Sequence, residues 1–368
     1  MKKENSDFFY NIIRPSVRGL EAYDPGPVPS GCVRLSANEN SRGVSSKAYL
    51  AMAEALKAGN RYPDSRCGEL RRKIADFHGL DAEQVLVGNG LDGVFTVLGR
   101  AMLDPLDEVI CGELTFSVYA DTAKIMGALP VAVSMTDAMA LDVDGFIGAI
   151  TDKTKMICFC NPNNPTGTAA PIEDIVRMLD AVPEDVIFVL DEAYIEFADE
   201  PLPTGLKLLD RYRNLIVCRT FSKIYGLAGM RVGWIAAHPE LIKHLYKVRE
   251  PYCVSAAAAA GAAAALDDRE FFEQSRAMLV GEREKLCRFF FEKGIPFVPS
   301  QGNFILLSSS ESFAALTNAL SKNNIAARPL SFRGGKLLRV SVGLPEENRI
   351  LEMAVEEALC GRFSVTDA

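Results

Sequence analysis

A lysine stands inside an apolar, glycine-rich run: residues 220–234 read TFSKIYGLAGMRVGW. Lys223 follows the hydroxyls of Thr220 and Ser222 and precedes Arg231 in the same run. A lysine withdrawn from water has a depressed pKa. More of it is then the free amine, a nucleophile that condenses with a carbonyl to a Schiff base. Two hydroxyls and a bidentate guanidinium beside it make a phosphate clamp. An ordinary surface lysine on a turn is the competing reading of this run alone.

Three further motifs carry unusual polar residues. GNGLDG (88–93) follows an apolar segment and opens a helical one. Glycine-rich backbone at a helix start presents free N–H groups to an anion. It lacks the spacing of a dinucleotide fingerprint, and alone it reads equally as a strand-to-helix turn. NPNNPTG (161–167) forces an irregular turn from which Asn164 can aim an amide at a ligand oxygen. DEAY (191–194) ends the apolar run VIFVLDEAY. A carboxylate at the inner end of a buried strand is costly without a cationic partner, so Asp191 is expected to have one, unless it merely caps a turn. Tyr194 can turn back into the same place. Taken together the motifs ask for one ligand with a carbonyl, a basic ring nitrogen and a phosphate. Pyridoxal 5′-phosphate has all three, and an aspartate at its pyridine nitrogen keeps the ring an electron sink.

The elements that hold these motifs follow from periodicity. Helical patterning runs from Ser45 to Gly59, and again through CGELRRKIADFHG. From QVLVGNG (84–90) short apolar runs alternate with helical ones: DEVICGE, PVAVSM, KMICFCNP (155–162), VIFVLDEAY (186–194), NLIVCRTFS (214–222) and VGWIAAH. Buried strands separated by helices predict a mostly parallel sheet covered on both faces. The polar motifs fall at the carboxyl ends of its strands, where open α/β sheets bind ligands. SAAAAAGAAAAL (255–266) is predicted to be a packed helix. Beyond it come a long charged helix, FVPSQGNFILLS, a helix near 312–323, IAARPL, KLLRVSVG (336–343) and a final helix. The expected class is α/β: an N-terminal arm over 1–45, a large domain over 46–265, and a smaller α+β C-terminal domain over 266–368 that packs with part of the arm.

Composition narrows the function. The chain has 368 residues, 48% apolar and 24% charged, with a net charge of −8. An acidic surface argues against nucleic acid. No secretory signal and no run of membrane-spanning length is seen, so a cytoplasmic protein without a membrane partner is expected. Nine cysteines show no zinc-like spacing. Cys158 and Cys160 alternate on one strand face and are expected to be reduced, buried thiols. The three histidines, His78, His238 and His244, are not spaced as metal ligands. No metal is expected, and acid–base work falls to another residue type.

With these motifs in order, the chain resembles the fold type I aminotransferases, and within them the histidinol-phosphate aminotransferase subgroup. The resemblance runs from IIRPSVRGLEAYDPG through LSANEN (35–40), RYPD (61–64), GNGLDG, NPNNPTG, DEAY and TFSKIYGLAGMRVGW to KLLRVSVG. It implies that Lys223 carries the cofactor and moves the proton, that Asp191 pairs with the pyridine nitrogen, and that Tyr194 and Asn164 bond the ring oxygen. It implies that Phe116 stacks on the ring, where many relatives have tyrosine. Backbone amides of Gly90, Leu91 and Asp92, with Thr220, Ser222 and Arg231, would hold the phosphate. Tyr62 would reach that phosphate from a partner subunit, making the enzyme a homodimer. Arg339 would bind the substrate carboxylate, Asn38 would line the substrate side, and Tyr23 and Arg328 would meet the distal substrate group.

The implied activity is ping-pong transfer of an amino group from L-histidinol phosphate to 2-oxoglutarate, in histidine biosynthesis. An aromatic or other amino-acid aminotransferase, or a threonine-phosphate decarboxylase, are alternatives on the same scaffold. A cofactor-binding sensor half of a transcription regulator would need a DNA-binding domain, and no helix-turn-helix pattern precedes the first motif. A scaffold that has lost catalysis is disfavoured by the presence of Lys223, Asp191 and Arg231. The sequence departs from the family after ANEN, where Ser41 and Arg42 follow, and after RYPD, where Ser65, Arg66 and Cys67 follow. An added arginine at the mouth of the site would bear on the choice of side chain if it reaches the substrate, which the sequence leaves open.

Overall fold

The computed structural model describes residues 9–24, 29–308 and 313–363. Part of the arm, including Pro25, Gly26 and Pro27, lies outside the described residues, as does the first residue of the helix expected near 312–323.

Seven strands form the large sheet, in the order β2-β8-β7-β6-β5-β3-β4. They are β2 (Val85–Gly88), β3 (Glu108–Gly112), β4 (Leu129–Val133), β5 (Thr154–Cys160), β6 (Ile187–Asp191), β7 (Leu215–Thr220) and β8 (Gly233–Ala237). Strands β7, β6, β5, β3 and β4 pair in parallel, while β8 runs antiparallel to both β2 and β7. The continuous apolar runs are explained by burial on both faces: every residue of β2, β7 and β8 is buried.

The helices start and stop where the local chemistry dictates. Ser45 caps Ser46–Leu56 by accepting from Ala48 N, and Ser255 does the same for Ala256–Leu266 from Ala258 N. Gly79 closes Gly68–His78 with φ of 69°. The alanine-rich helix lies against Ser46–Leu56, and its small residues allow a close approach: a Cβ on Gly261 would come within 2.6 Å of Met52 Cγ.

A second, four-stranded antiparallel sheet has the order β12-β13-β10-β9. Its strands are β9 (Phe297–Val298), β10 (Phe304–Leu307), β12 (Arg328–Phe332) and β13 (Gly335–Ser341), and it is flanked by Arg269–Glu292, Phe313–Lys322 and Pro345–Phe363. The arm joins this part of the chain: β1 (Val33–Arg34) pairs in parallel with β11 (Ile325–Ala326), and Ser341 N donates to Leu35 O at 2.8 Å.

Several elements differ from the periodicity reading. IAARPL splits into β11 and β12. The first expected strand is shortened at its start because Ala82–Gln84 forms a 3₁₀ turn with a capping box on Asp81. Short helices Pro15–Arg18 and Pro239–Leu245 open on prolines, whose fixed φ suits a first helical turn. Both are too brief to show a period.

Candidate active site

The polar motifs converge at one edge of the large sheet. Asp191 is the last residue of β6, Lys223 lies three residues past β7, Asn164 four past β5 and Phe116 four past β3. Because β8 is reversed, its start lies at this same edge, and so Arg231, two residues before β8, joins the group.

Gly90, at the start of Gly90–Met102, has φ of 69°, and a Cβ there would lie 2.5 Å from Arg231 Nη2. Only glycine admits the guanidinium so close to the backbone. Arg231 itself sits at φ of 56°. Its Nη2 donates to Asp92 Oδ2 at 2.9 Å, and Nη1 to Ala228 O at 3.0 Å and, weakly, to Ser222 Oγ at 3.5 Å. Thr220 Oγ1 accepts from Ser222 N at 3.0 Å. Helix-start amides, two hydroxyls and a guanidinium thus face one spot. The Asp92 side chain as Arg231's partner was not anticipated, since only its backbone amide was implicated by sequence.

Lys223 is held by one hydrogen bond, from Nζ to Ala37 O at 3.0 Å, and Nζ lies 5.4 Å from the centre of the Tyr194 ring. Burial lowers its pKa to about 8, and the charges of Arg339 and Arg231 push the same way.

Asp191 is 2% exposed. The cationic partner expected for a buried carboxylate is not in contact: among the described residues no ion pair reaches Asp191. Instead Tyr119 Oη donates to Oδ2 at 2.7 Å and Ala193 N donates to Oδ1 at 3.0 Å. Burial raises the Asp191 pKa to about 6, against the pull of these two bonds and of the Lys223 charge. Its neighbour Glu192 faces the other side of the sheet, where Arg219 donates to it at 2.8 and 3.0 Å. The buried cation therefore serves the adjacent carboxylate.

Asn38, at φ of 55°, ties the arm to both sheets. Its N donates to Ser341 Oγ at 2.8 Å, and its Nδ2 to Tyr194 Oη at 3.1 Å. Burial pushes the Tyr194 phenol well up. Arg339 is buried on β13, with Nη1 donating to Asn164 Oδ1 and Nη2 to Ser36 O, both at 2.6 Å. That bond leaves the Asn164 amide N–H group as the donor. Among the described residues Arg339 Nε has no partner, which leaves a buried donor available to a ligand. Arg328 lies across from Arg339 in the β12–β13 ladder. It donates to Asp24 O at 2.6 Å, and its guanidinium sits 5.3 Å from the Tyr23 ring centre.

Two expected residues lie apart. Tyr62 is 83% exposed and stacks on Tyr252 with ring centres 4.6 Å apart. Arg42 turns toward Arg269–Glu292, where it donates to Gln274 Oε1 at 2.8 Å and lies over Phe271. Phe116 meets Tyr119 edge-on at 5.6 Å. Sequence reading passed over Tyr119, Ser341 and Asn303, whose Nδ2 donates to Asn38 O at 3.0 Å. None of the three is marked by its sequence context: even Tyr119, three residues after Phe116, is an ordinary residue at the start of Val118–Met126.

An amine of lowered pKa, a buried carboxylate held by neutral donors, an anion cradle and an arginine with a spare Nε form a site able to bind a phosphorylated carbonyl compound beside a carboxylate-bearing substrate. Comparison with known proteins agrees. The family described as aminotransferase class I and II matches residues 30–356. Histidinol-phosphate aminotransferase 2 of Pseudomonas aeruginosa is 39% identical, over 92% of this chain and 95% of the relative. An aromatic amino acid aminotransferase of Nocardia farcinica is 38% identical, over 95% and 99%. The crystal structure of histidinol-phosphate aminotransferase from Sinorhizobium meliloti in complex with pyridoxal-5′-phosphate superposes with a TM-score of 0.88 at 26% identity, covering 95% and 98% of the two chains.

Proposed function

The chain belongs to the class I and II aminotransferases, and from that membership we propose that it uses pyridoxal 5′-phosphate to move an amino group from L-histidinol phosphate to 2-oxoglutarate, giving imidazole acetol phosphate and L-glutamate. The observation that carries the substrate is the cross-strand pair Arg328 and Arg339. One guanidinium is buried with a spare donor, the other lies out beside Tyr23, and together they suit a donor that bears phosphate and an acceptor that bears two carboxylates.

The residues fit the cofactor on two structural grounds. The Gly90 backbone and Arg231 leave no room for a side chain, as a phosphate cradle requires. The carboxylate of Asp191 is buried without a cation and so lacks the partner that a protonated ring nitrogen would be. Gly90, Leu91 and Asp92 amides, Thr220, Ser222 and Arg231 would hold the phosphate. Phe116 would cover the ring, Asn164 and Tyr194 would bond its oxygen, and Lys223 would hold it covalently. Bound, it supplies an electron sink that acidifies the donor Cα–H.

The protein's own residues do the rest. Arg339 fixes the substrate carboxylate, with Asn38 lining that side. Lys223 Nζ would take the proton from the donor Cα and pass it to the carbon that was the cofactor's carbonyl, a task suited to a pKa of about 8. Asp191 holds a negative charge where the ring nitrogen would lie. Asp191 is shut away from water, while Lys223 is half-buried.

We also propose a cytoplasmic homodimer. The exposure of Tyr62, which stacks only on Tyr252 and lies apart from its own subunit's cradle, supports the reading that it meets the phosphate cradle of a partner. The proposed division at residues 265/266 is supported by the large sheet lying within 85–237 and the antiparallel sheet within 297–341. Among the described residues no helix is long and apolar enough to cross a membrane.

The test is a visible spectrum of the loaded protein. Its band should bleach with L-histidinol phosphate and return with 2-oxoglutarate. Bleaching only with aromatic amino acids would favour the second reading, which rests on the Nocardia relative. No band even with added pyridoxal phosphate would end both.

A further inference from the structure

Asp191 is the one carboxylate at the inner edge of the site, and its surroundings are mostly weak acids. Cys160 on β5 and Cys218 on β7 are its register partners. Both thiols are buried, and burial raises their pKa, so they stay neutral beside it. Glu192, next in the chain, works against its ionisation, and Lys223 assists only through space. The Ala193 amide bonds Oδ1. That leaves Tyr119 as the only side chain that donates a hydrogen bond to the carboxylate, at 2.7 Å to Oδ2, among the described residues. Tyr119 is 1% exposed, and its ring is wedged between Phe95 and Phe116 at 4.9 and 5.6 Å. Phe116 is itself the proposed ring cover. The phenol is un-ionised, pushed well above its ordinary pKa by burial and by Asp191 itself, so it is the donor in this bond.

We infer that Tyr119 is a positioning residue: its phenol holds the Asp191 carboxylate charged and aimed, so that the carboxylate can meet a protonated ring nitrogen. This rests on the cofactor reading above. A hydrogen bond to a carboxylate in a dry site is among the stronger kind, and its loss leaves a buried charge short of a partner. The effect should therefore pass through the ring nitrogen and through nothing else on the ligand.

The experiment titrates the cofactor-free full chain with pyridoxal 5′-phosphate, and with its 1-deaza analogue, which carries C–H where the ring nitrogen was. Binding is read by fluorescence quenching. Tyr119→Phe should weaken apparent affinity for pyridoxal phosphate roughly tenfold or more. It should leave affinity for the analogue within about twofold, and binding of the analogue shows that the variant is folded. In an Asp191→Asn background, Tyr119→Phe should have no further effect on pyridoxal phosphate, the mark of two residues acting as a unit. Equal weakening for both ligands would overturn the inference and leave a packing role, as would no weakening for either, or an undiminished effect in the Asp191→Asn background. Failure of the unaltered protein to bind either ligand would overturn the cofactor reading itself, an outcome distinct from all of these.

Discussion

Arg328 and Arg339 are directly opposed in the antiparallel ladder of β12 and β13, so two guanidinium groups share one face with no carboxylate pairing either of them among the described residues. Burial and the nearby charge of Arg328 both lower the Arg339 pKa. Like charges placed opposite one another on a sheet are unfavourable, a cost that the proposed binding of an anionic ligand would offset. Arg339→Ala should lower kcat/KM for histidinol phosphate and for glutamate alike, by about 100-fold or more, because a buried charge-assisted contact is lost together with the anchor of Asn164. Arg328→Ala should raise KM for the phosphorylated donor about tenfold or more and affect glutamate less. Steady-state kinetics with both donors separates the two.

Lys223→Ala should abolish the visible band and lower turnover more than about 1000-fold. In the unaltered protein, the rate at which cofactor-free chain captures pyridoxal phosphate should rise with pH and level off above about 8, as the amine loses its proton. Stopped-flow absorbance across the pH range measures it. A rate that is flat through that window would contradict a lysine of lowered pKa.

Asp191 carries a stability signature in the cofactor-free protein. Its folded pKa, about 6, lies above the ordinary 3.8. The native state therefore binds the extra proton between those values, and stability falls as pH rises through them. Removing the charge should reverse this. Asp191→Asn is expected to stabilise the cofactor-free chain at pH 8 by about 1–3 kcal/mol, with the difference from the unaltered protein shrinking by pH 4. Denaturant melts at both pH values test it, and the same variant should bind the cofactor more weakly.

Gly226 follows Lys223 by three residues at φ of 68°, and a Cβ there would lie 2.0 Å from Gly43 O. The clash is with backbone, so no rotamer relieves it. Gly226→Ala should cost about 2–4 kcal/mol, between the strain of a forced φ and that of an overpacked core. It should also loosen the loop that carries Lys223. Thermal melts and cofactor affinity should both move.

Arg42 should matter little. Its guanidinium is committed to Gln274 and Phe271, so Arg42→Ala is expected to leave the donor preference within about threefold, a typical outcome for an exposed contact. A larger change in the ratio of kcat/KM values would place it at the substrate after all.

The sheet was legible because each strand is an uninterrupted apolar run ended by a polar motif, as in VIFVLDEAY. Candidate residues at those ends, such as Asp191 after VIFVL, announce themselves by being polar where the residues before them are not. Tyr119 gave no such signal, since a tyrosine at the start of an amphipathic helix is ordinary, and only the fold turns its hydroxyl onto Asp191. Nor could the run DEAY show that Arg219 would pair with Glu192 and leave Asp191 to a phenol. That choice depends on which face of β6 each side chain takes. The role of Arg42 stayed open in the sequence because chain proximity to ANEN says nothing of the direction in which a long side chain leaves.

The bond from Asn38 N to Ser341 Oγ joins positions 303 apart in the sequence. The site therefore closes only when the arm finds a strand made near the end of synthesis. Lys223 and Asp191 can be in place on a finished sheet while the floor beneath the substrate is still missing. Such long-range closure is slow compared with local helix formation. Nascent or C-terminally shortened chains would present Lys223 without Arg339, whose charge helps to lower its pKa, so the last part of folding also sets the basicity of the lysine.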